Sequence, residues 1–325
     1  MSRGLGLFSG GLDSILAALT LRRQGVEVWG VTFVTPFFGA EKARKASILL
    51  DIPIVVRDIG PVHLEMVKKP RYGYGKNMNP CIDCHAMMFR LAGEIMRERG
   101  FDFLFSGEVL GQRPMSQNLS SLRAVANASG VGEYILRPLS ARLLSVTPME
   151  ENGLVDRERL FDIQGRTRRR QEELARKWGV SEYPSPGGGC LLTETGFSNR
   201  LRDLLEYSGD ATVEDVELLK VGRQFRLSPL VRLVVGRNQS NNEEIKKFVR
   251  PEDYLIQAAE FPGPLGLLRG QPGDKDMEMA AALVAGYGKG RDRDEVLMAI
   301  RRDEDYRTLA VAPASREEMK NRLIV

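Results

Sequence analysis

Phe8-Ser9-Gly10-Gly11-Leu12-Asp13-Ser14 is the stretch around which the rest of the chain is organised. Before it, Leu5, Leu7 and Phe8 supply a short apolar run suited to a buried strand. After it, residues 15–23 are strong helix formers with apolar residues on one face. The turn between them places two glycines, two hydroxyls and a carboxylate at a helix N-terminus, where unpaired backbone N–H groups and the positive dipole end favour a phosphate. That is an anion cradle. It lacks the Lys-Ser/Thr ending of a Walker A loop, so no lysine stands ready for a β/γ-phosphate.

Working outward, residues 26–34 and 52–58 read as further strands, rich in β-branched and aromatic residues, with helical spacing at 40–50 between them. Strand, helix, strand, helix, strand predicts an α/β fold with a doubly wound parallel sheet, in which ligands sit beyond the carboxyl ends of the strands. Residues 101–105 read as another strand, leading into Ser106-Gly107-Glu108-Val109-Leu110-Gly111-Gln112 and on to Ser116 and Gln117. A length of 325 residues with 42% hydrophobic residues allows a sizeable core and suggests two domains. No apolar run approaches the ~20 residues of a membrane helix and no signal-like segment precedes the first strand, so a soluble, cytoplasmic protein without membrane contact is expected.

The three cysteines are too few for a disulfide framework in a chain of this size, and their placement points instead to a metal or redox site. Pro80 can occupy the first turn of a helix running to Arg99, which sets Cys81 and Cys84 three residues apart at its start. A helix N-terminus favours thiolate, the metal-binding and nucleophilic form. Cys190 stands alone after a Pro/Gly-rich stretch at 184–189 whose three glycines allow close backbone approach. Three chemistries fit the set: a 4Fe-4S cluster with one open iron, a persulfide carrier with a resolving thiol, or a zinc site closed by His85. The two histidines show no spacing that supports a Cys/His or Ser/His triad.

A net charge of +4 is only mildly basic, so local clusters carry more information. Residues 68–78 mix Lys68, Lys69, Arg71 and Lys76 with Tyr72 and Tyr74, and fit either a solvated loop or an RNA contact. Between Arg166 and Lys177 six basic residues face two acids; Arg166, Arg168, Arg169 and Arg170 are candidate phosphate contacts. Beyond Gly222 the composition shifts to short strands near 225–227, 231–237, 254–257 and 265–268, interrupted by helices at 241–249, 276–286 and 315–323. This is a smaller C-terminal α+β module. Thr212 with Asp215, and Ser315 with Glu318, are spaced as capping boxes.

The order Ser-Gly-Gly-x-Asp-Ser at Ser9 to Ser14 resembles the PP-loop of the ATP pyrophosphatase superfamily, which cleaves ATP between the α- and β-phosphates. Gly107, Glu108, Gln112, Ser116 and Gln117 are similar to the second nucleotide-site motif of its 4-thiouridine synthetase branch, as is Leu136-Arg137-Pro138-Leu139. Asn79-Pro80-Cys81-x-x-Cys84 resembles the corresponding region of tRNA 2-thiouridylases, in which a distant second cysteine is brought against the first. The resemblance implies that Ser9, Gly10, Gly11, Asp13 and Ser14, with those five second-motif residues, hold ATP and Mg2+. It further implies that Asp13, Cys81, Cys84 and Cys190 are catalytic, with a 4Fe-4S cluster on the three cysteines. Val235-Gly236-Arg237-Asn238, with Asn242 and Glu243, resembles the RNA-binding domain of the NFACT group; Arg237 is then an RNA contact, although a homodimer interface also fits this module.

The expected organisation is an ATP-binding domain at 1–183, a cysteine-bearing loop and helical connector at 184–219, and an RNA-binding domain at 220–325. The implied function is a tRNA sulfurtransferase: a base carbonyl oxygen, of uridine or a similar base, is adenylated and then replaced by sulfur from sulfide or a persulfide carrier. Two other readings remain open, a PP-loop ligase acting on a small metabolite and a noncatalytic RNA-binding protein.

Overall fold

Leu5, with no exposed surface, sits at the middle of β1 (Arg3–Leu7), and β1 is the central strand of the first sheet. The computed structural model describes residues 1–113, 115–184 and 189–325, and it divides into two compact units, 1–193 and 194–325. In the first unit β1 is followed by α1 (Leu12–Arg22), β2 (Glu27–Val34), α2 (Glu41–Leu50), β3 (Ile54–Asp58), α3 (Gly60–Lys68), α4 (Cys81–Arg99), β4 (Phe103–Ser106), α5 (Leu119–Ser129), β5 (Ile135–Leu136), α6 (Pro148–Glu151) and α7 (Arg169–Lys177). The five strands are parallel, in the order β3-β2-β1-β4-β5. That arrangement is the doubly wound α/β sheet.

Each face of this sheet carries its own apolar layer. On one, Phe8, Ile15, Leu16 and Leu19 pack with Phe103 and Phe105; on the other, Leu5, Val31 and Phe33 pack with Phe89, Ala92 and Ile95 of α4 and Val125 of α5. The sequence suggests one apolar face for α1, but nine of its residues are buried. The reason lies far along the chain: Met149, Val155, Leu160, Ile163 and Ala175 cover the side of α1 that the sheet leaves open. The carboxyl ends of β1, β2, β4 and β5 therefore converge on one edge, and the loops leaving them carry the predicted motifs.

The second unit contains α8 (Thr195–Tyr207), α9 (Val213–Leu218), β6 (Arg223–Ser228), β7 (Val231–Val235), α10 (Gln239–Lys246), β8 (Tyr254–Ala258), β9 (Gly266–Gly270), α11 (Asp274–Gly286), β10 (Val296–Arg302), β11 (Asp305–Val311) and α12 (Arg316–Arg322). Its six strands form an antiparallel sheet in the order β11-β10-β8-β9-β7-β6. Met277, Ala280, Ala281 and Val284 of α11 pack into a core with Leu233, Ile256, Leu268 and Met298. Both expected capping boxes form, Thr212 with Asp215 and Ser315 with Glu318. The β10–β11 hairpin is absent from the sequence reading because most of β11 is exposed, so no apolar alternation marks it. Its turn at Asp303-Glu304 carries Asp303 at φ +50°, a left-handed conformation that Asp tolerates better than most residues.

No helix among the described residues is long and apolar enough to cross a membrane.

Candidate functional site

The PP-loop-like turn is held by its own side chains. Gly11 N–H donates to Ser9 Oγ (3.3 Å), Ser9 Oγ–H to Ser14 Oγ (3.3 Å), and Ser14 Oγ–H to the Gly11 carbonyl (2.8 Å). Gly10 is at φ +72°, and a Cβ there would lie 2.2 Å from the Lys42 carbonyl oxygen, so only glycine fits. Asp13, in the first turn of α1, uses its two oxygens differently. Oδ2 accepts from Gln112 Nε2 (2.7 Å) and Arg168 Nη2 (3.0 Å), whereas Oδ1 is buried with no hydrogen-bond partner.

The second motif meets the first directly. A Cβ on Gly107 would lie 2.5 Å from the Asp13 carbonyl carbon and from the Ser14 nitrogen, so the loop after β4 runs against the backbone of the PP-loop. Gln112 reaches Asp13 and is itself held by Gln171 Nε2 (3.0 Å). Ser116 and Gln117 are buried; their N–H groups donate to the Arg113 carbonyl, and the Gln117 carbonyl accepts from Gly111 (2.7 Å), closing the loop on itself. Pro114 of this loop lies outside the described residues.

Glu108 does not point at the PP-loop. Its carboxylate is buried between Arg137 Nε (2.9 Å), His85 Nδ1 (2.7 Å) and Ser106 Oγ (3.1 Å). Burial alone would raise its pKa; the Arg137 charge and the bonds with His85 and Arg137 overcome this and hold it at about 2. His85 follows Cys84 in α4, so this contact joins the start of the cysteine helix to the loop that packs on the PP-loop. A zinc site closed by His85 would compete with this ion pair.

Cys81 and Cys84 open α4 as expected. Asn79 Nδ2 lies 3.3 Å from Cys81 Sγ, and Asp83 accepts from the N–H groups of Arg71 and Tyr72, fastening the basic, aromatic loop at 68–78 to the helix start. Cys190 is carried to the same region. Leu191 N–H donates to the Phe37 carbonyl (3.0 Å), just beyond β2, and Asn77 Nδ2 donates to the Thr193 carbonyl (2.7 Å). The Cys84 thiol is pushed well above its ordinary value by burial, then by the charges of Cys190, Cys81 and Asp83, so both other cysteines act on Cys84. This reverses the expectation of a thiolate at Cys84, because burial and like charge outweigh the helix end. Residues 185–188 of the Pro/Gly approach to Cys190 lie outside the described residues.

His63 Nε2 lies 3.2 Å from Cys84 Sγ, a Cys/His pair that the 21-residue spacing did not suggest. His63 sits on α3, fully buried against the rings of Phe37 and Phe38, and burial lowers its pKa to about 4. Among the described residues no group of three or more His, Cys, Asp or Glu side chains is disposed to hold a metal ion.

The basic candidates separate. Arg168 turns inward to Asp13, Arg169 pairs with Glu173 (2.9 Å), Arg170 pairs with Asp162 (2.7 Å) and Arg166 is exposed. Arg237, also exposed, stands just before Asn238, the N-cap of α10.

Comparison with known proteins finds similarity in two separate stretches of the chain. Residues 1–142 match the family model of the thiamine biosynthesis protein ThiI, and residues 222–323 that of the NFACT protein RNA-binding domain. The chain is 28% identical over 219 residues to the tRNA-specific 2-thiouridylase MnmA 1 of Syntrophus aciditrophicus (strain SB), covering 62% of this chain and 54% of the relative. It is 31% identical over 140 residues to a probable tRNA sulfurtransferase of Staphylococcus aureus (strain MRSA252), covering 41% of this chain and 33% of the relative. The chain thus spans from a third to about half of the length of these curated relatives. A solved 4-thiouridine synthetase–RNA complex with bound ATP aligns with a TM-score of 0.42 at 21% identity, covering 67% of this chain and 52% of that one. The two matches fall in different compact units of the chain, the ThiI model within residues 1–193 and the NFACT model within residues 194–325.

Proposed function

We propose that the protein is an ATP-dependent tRNA sulfurtransferase. The observation that carries this reading is the joining of two sites: Gly107 packs on the backbone of Asp13 and Ser14, and the next residue, Glu108, binds His85 beside Cys84. An adenylating loop and a sulfur-bearing helix then share one short connection.

In this reading ATP lies on the turn from Ser9 to Ser14, its phosphates facing the N–H groups at the start of α1. Asp13 Oδ1, buried and unpartnered, is a carboxylate oxygen suited to Mg2+, which supplies positive charge to the phosphates when bound. Arg168 and Gln112 fix the other oxygen, so the carboxylate cannot swing away. The base carbonyl oxygen attacks the α-phosphate and pyrophosphate leaves. Sulfur then attacks the activated carbon and AMP departs with the former carbonyl oxygen.

Sulfur reaches that carbon from the cysteine site. If it arrives as a persulfide on one cysteine, a second thiol attacks the sulfur–sulfur bond as the thiocarbonyl forms; the resulting disulfide takes two electrons from a reductant before the next cycle. A 4Fe-4S cluster on Cys81, Cys84 and Cys190 is the alternative use of the same thiols. The described side chains do not form a metal-holding group, and His63 engages the Cys84 sulfur. RNA is held by the C-terminal domain and by the basic surface of the first unit that includes Arg166.

The test is pyrophosphate release and AMP formation with and without tRNA. tRNA-dependent AMP formation is expected in the wild-type chain and its loss, by about a hundredfold or more, in Asp13→Asn. Equal turnover in Asp13→Asn would remove the ATP assignment.

A further inference from the structure

We propose that Arg200, Arg223 and Arg237 form a phosphodiester-binding site on the second unit, a place where the RNA backbone is gripped independently of its sequence. The site rests on the reading of this protein as RNA-binding and gives that reading an address.

Three elements supply the arginines. Arg200 projects from α8, Arg223 opens β6, and Arg237 lies between β7 and α10. Arg223 is fixed in two ways: its guanidinium lies over the Tyr287 ring, 4.2 Å from the centroid, and its Nη1 donates to the Gly236 carbonyl (3.3 Å), one residue before Arg237. Arg200 lies near the Phe197 ring (5.8 Å to the centroid), and its Nε is buried without a hydrogen-bond partner. Arg237 is exposed and forms no ion pair among the described residues.

None of these three arginines forms an ion pair among the described residues, unlike Arg226 and Arg269 of the same unit. Arg226 is bound by Asp203, and Arg269 by Asp253 and Asp215. Arg200 and Arg223 are each pulled below the ordinary guanidinium value, first by burial; the positive charge of Arg237 adds to this at both, opposed by Glu194 at Arg200 and by Tyr287 at Arg223. Like charges drawn together are stabilised by an arriving anion. A planar guanidinium on an aromatic ring keeps its donor edges free for phosphate oxygens. The N-terminus of α10, capped by Asn238, adds its dipole beside Arg237. A polyanionic strand fits this arrangement better than a protein partner, since a row of phosphates can neutralise all three charges.

The experiment measures tRNA affinity of the full-length chain as a function of KCl concentration. Arg237→Gln is the first variant, since its exposed side chain can be changed without disturbing the core. Arg200→Gln/Arg223→Gln/Arg237→Gln is the second, with thermal melting as the fold control. Lys246→Gln/Lys247→Gln, which removes two exposed cations already paired with Glu243 and Glu244, is the control for loss of charge elsewhere on the same unit. Each arginine removed should lower the slope of log affinity against log salt by about 0.7 to 0.9, while the lysine control leaves it close to wild type. The loss should be the same for an unrelated RNA of equal length. A wild-type slope in Arg237→Gln, or an equal change in the lysine control, would overturn the site while leaving RNA binding intact. A wild-type chain that does not bind RNA would overturn both.

Discussion

Asp13 and Glu108 are both acids in the nucleotide motifs, and their surroundings divide their roles. Asp13 keeps one oxygen unpartnered at the loop, whereas every contact of Glu108 secures the protein itself. The ordinary value of Glu108 is 4.5 and the folded value about 2, so its stabilisation is fully present above pH 4.5 and is lost as pH falls towards 2. The ion pair is therefore expected to lose roughly 1 kcal/mol by pH 3.5 and about 3 kcal/mol in full. Urea unfolding at pH 7 and pH 3.5 measures it. Glu108→Gln should be less stable at pH 7 by about 3 kcal/mol, because Arg137 is left buried and unpaired, and should lack that part of the acid sensitivity. The same acid loss in wild type and variant would show that Glu108 does not carry it. Glu108 was legible in the sequence as part of a nucleotide motif, but its orientation was not: the bond to His85 depends on how α4 packs against β4.

At the scale of elements, the seven residues from Phe8 to Ser14 read correctly because strand, turn and helix all lie within a few positions of one another. Arg168 shows the opposite case. It belongs to a basic run that reads as an RNA-facing surface, yet the chain after β5 folds back over α1 and turns it towards Asp13. His63 also escaped notice, since the parallel sheet sets α3 against α4 and no local spacing reports that. The contact at Gly107 provides a direct test of how the two loops meet. Gly107→Ala places a Cβ against backbone atoms of Asp13 and Ser14, which cannot rotate away as a side chain can. A cost of about 1–3 kcal/mol is expected, with AMP formation falling by about a hundredfold from displacement of the PP-loop. Unchanged turnover would mean that the loop tolerates the shift and that its position is not decisive. In the second unit Asp253 is fully buried, its carboxylate bound by Arg269 and by the Arg250 N–H. Asp253→Asn is expected to lower unfolding stability by about 3 kcal/mol, read from the urea midpoint at neutral pH. A loss under 1 kcal/mol would assign the stability of the sheet to its apolar core instead.

For the molecule as a whole, the proposed function assigns the chemistry to the first unit and RNA binding to the second. The sequence made both units recognisable, the first by motifs on consecutive loops and the second by its shift to short strands and by the Val-Gly-Arg-Asn segment. The hairpin of β10 and β11 was missed because its outer strand faces solvent and shows no apolar pattern. Convergence of the cysteines was expected from the motifs; what the structure shows of it is that Leu191 and Thr193, beside Cys190, are bonded to Phe37 and Asn77. Neutral Cys84 paired with buried His63 was not foreseen, because burial is a property of the assembled fold.

The central claim is that adenylation and sulfur delivery are separate steps at one joined site. Nucleoside mass spectrometry of tRNA incubated with the protein, ATP and a sulfide or persulfide donor measures the product directly, with pyrophosphate release followed in the same samples. The wild-type chain should produce a thiolated nucleoside with one AMP per sulfur. Cys84→Ser should release pyrophosphate yet yield no thiolated nucleoside, and Asp13→Asn should do neither. Full thiolation by Cys84→Ser, or pyrophosphate release without any sulfur in the wild-type product, would contradict the account.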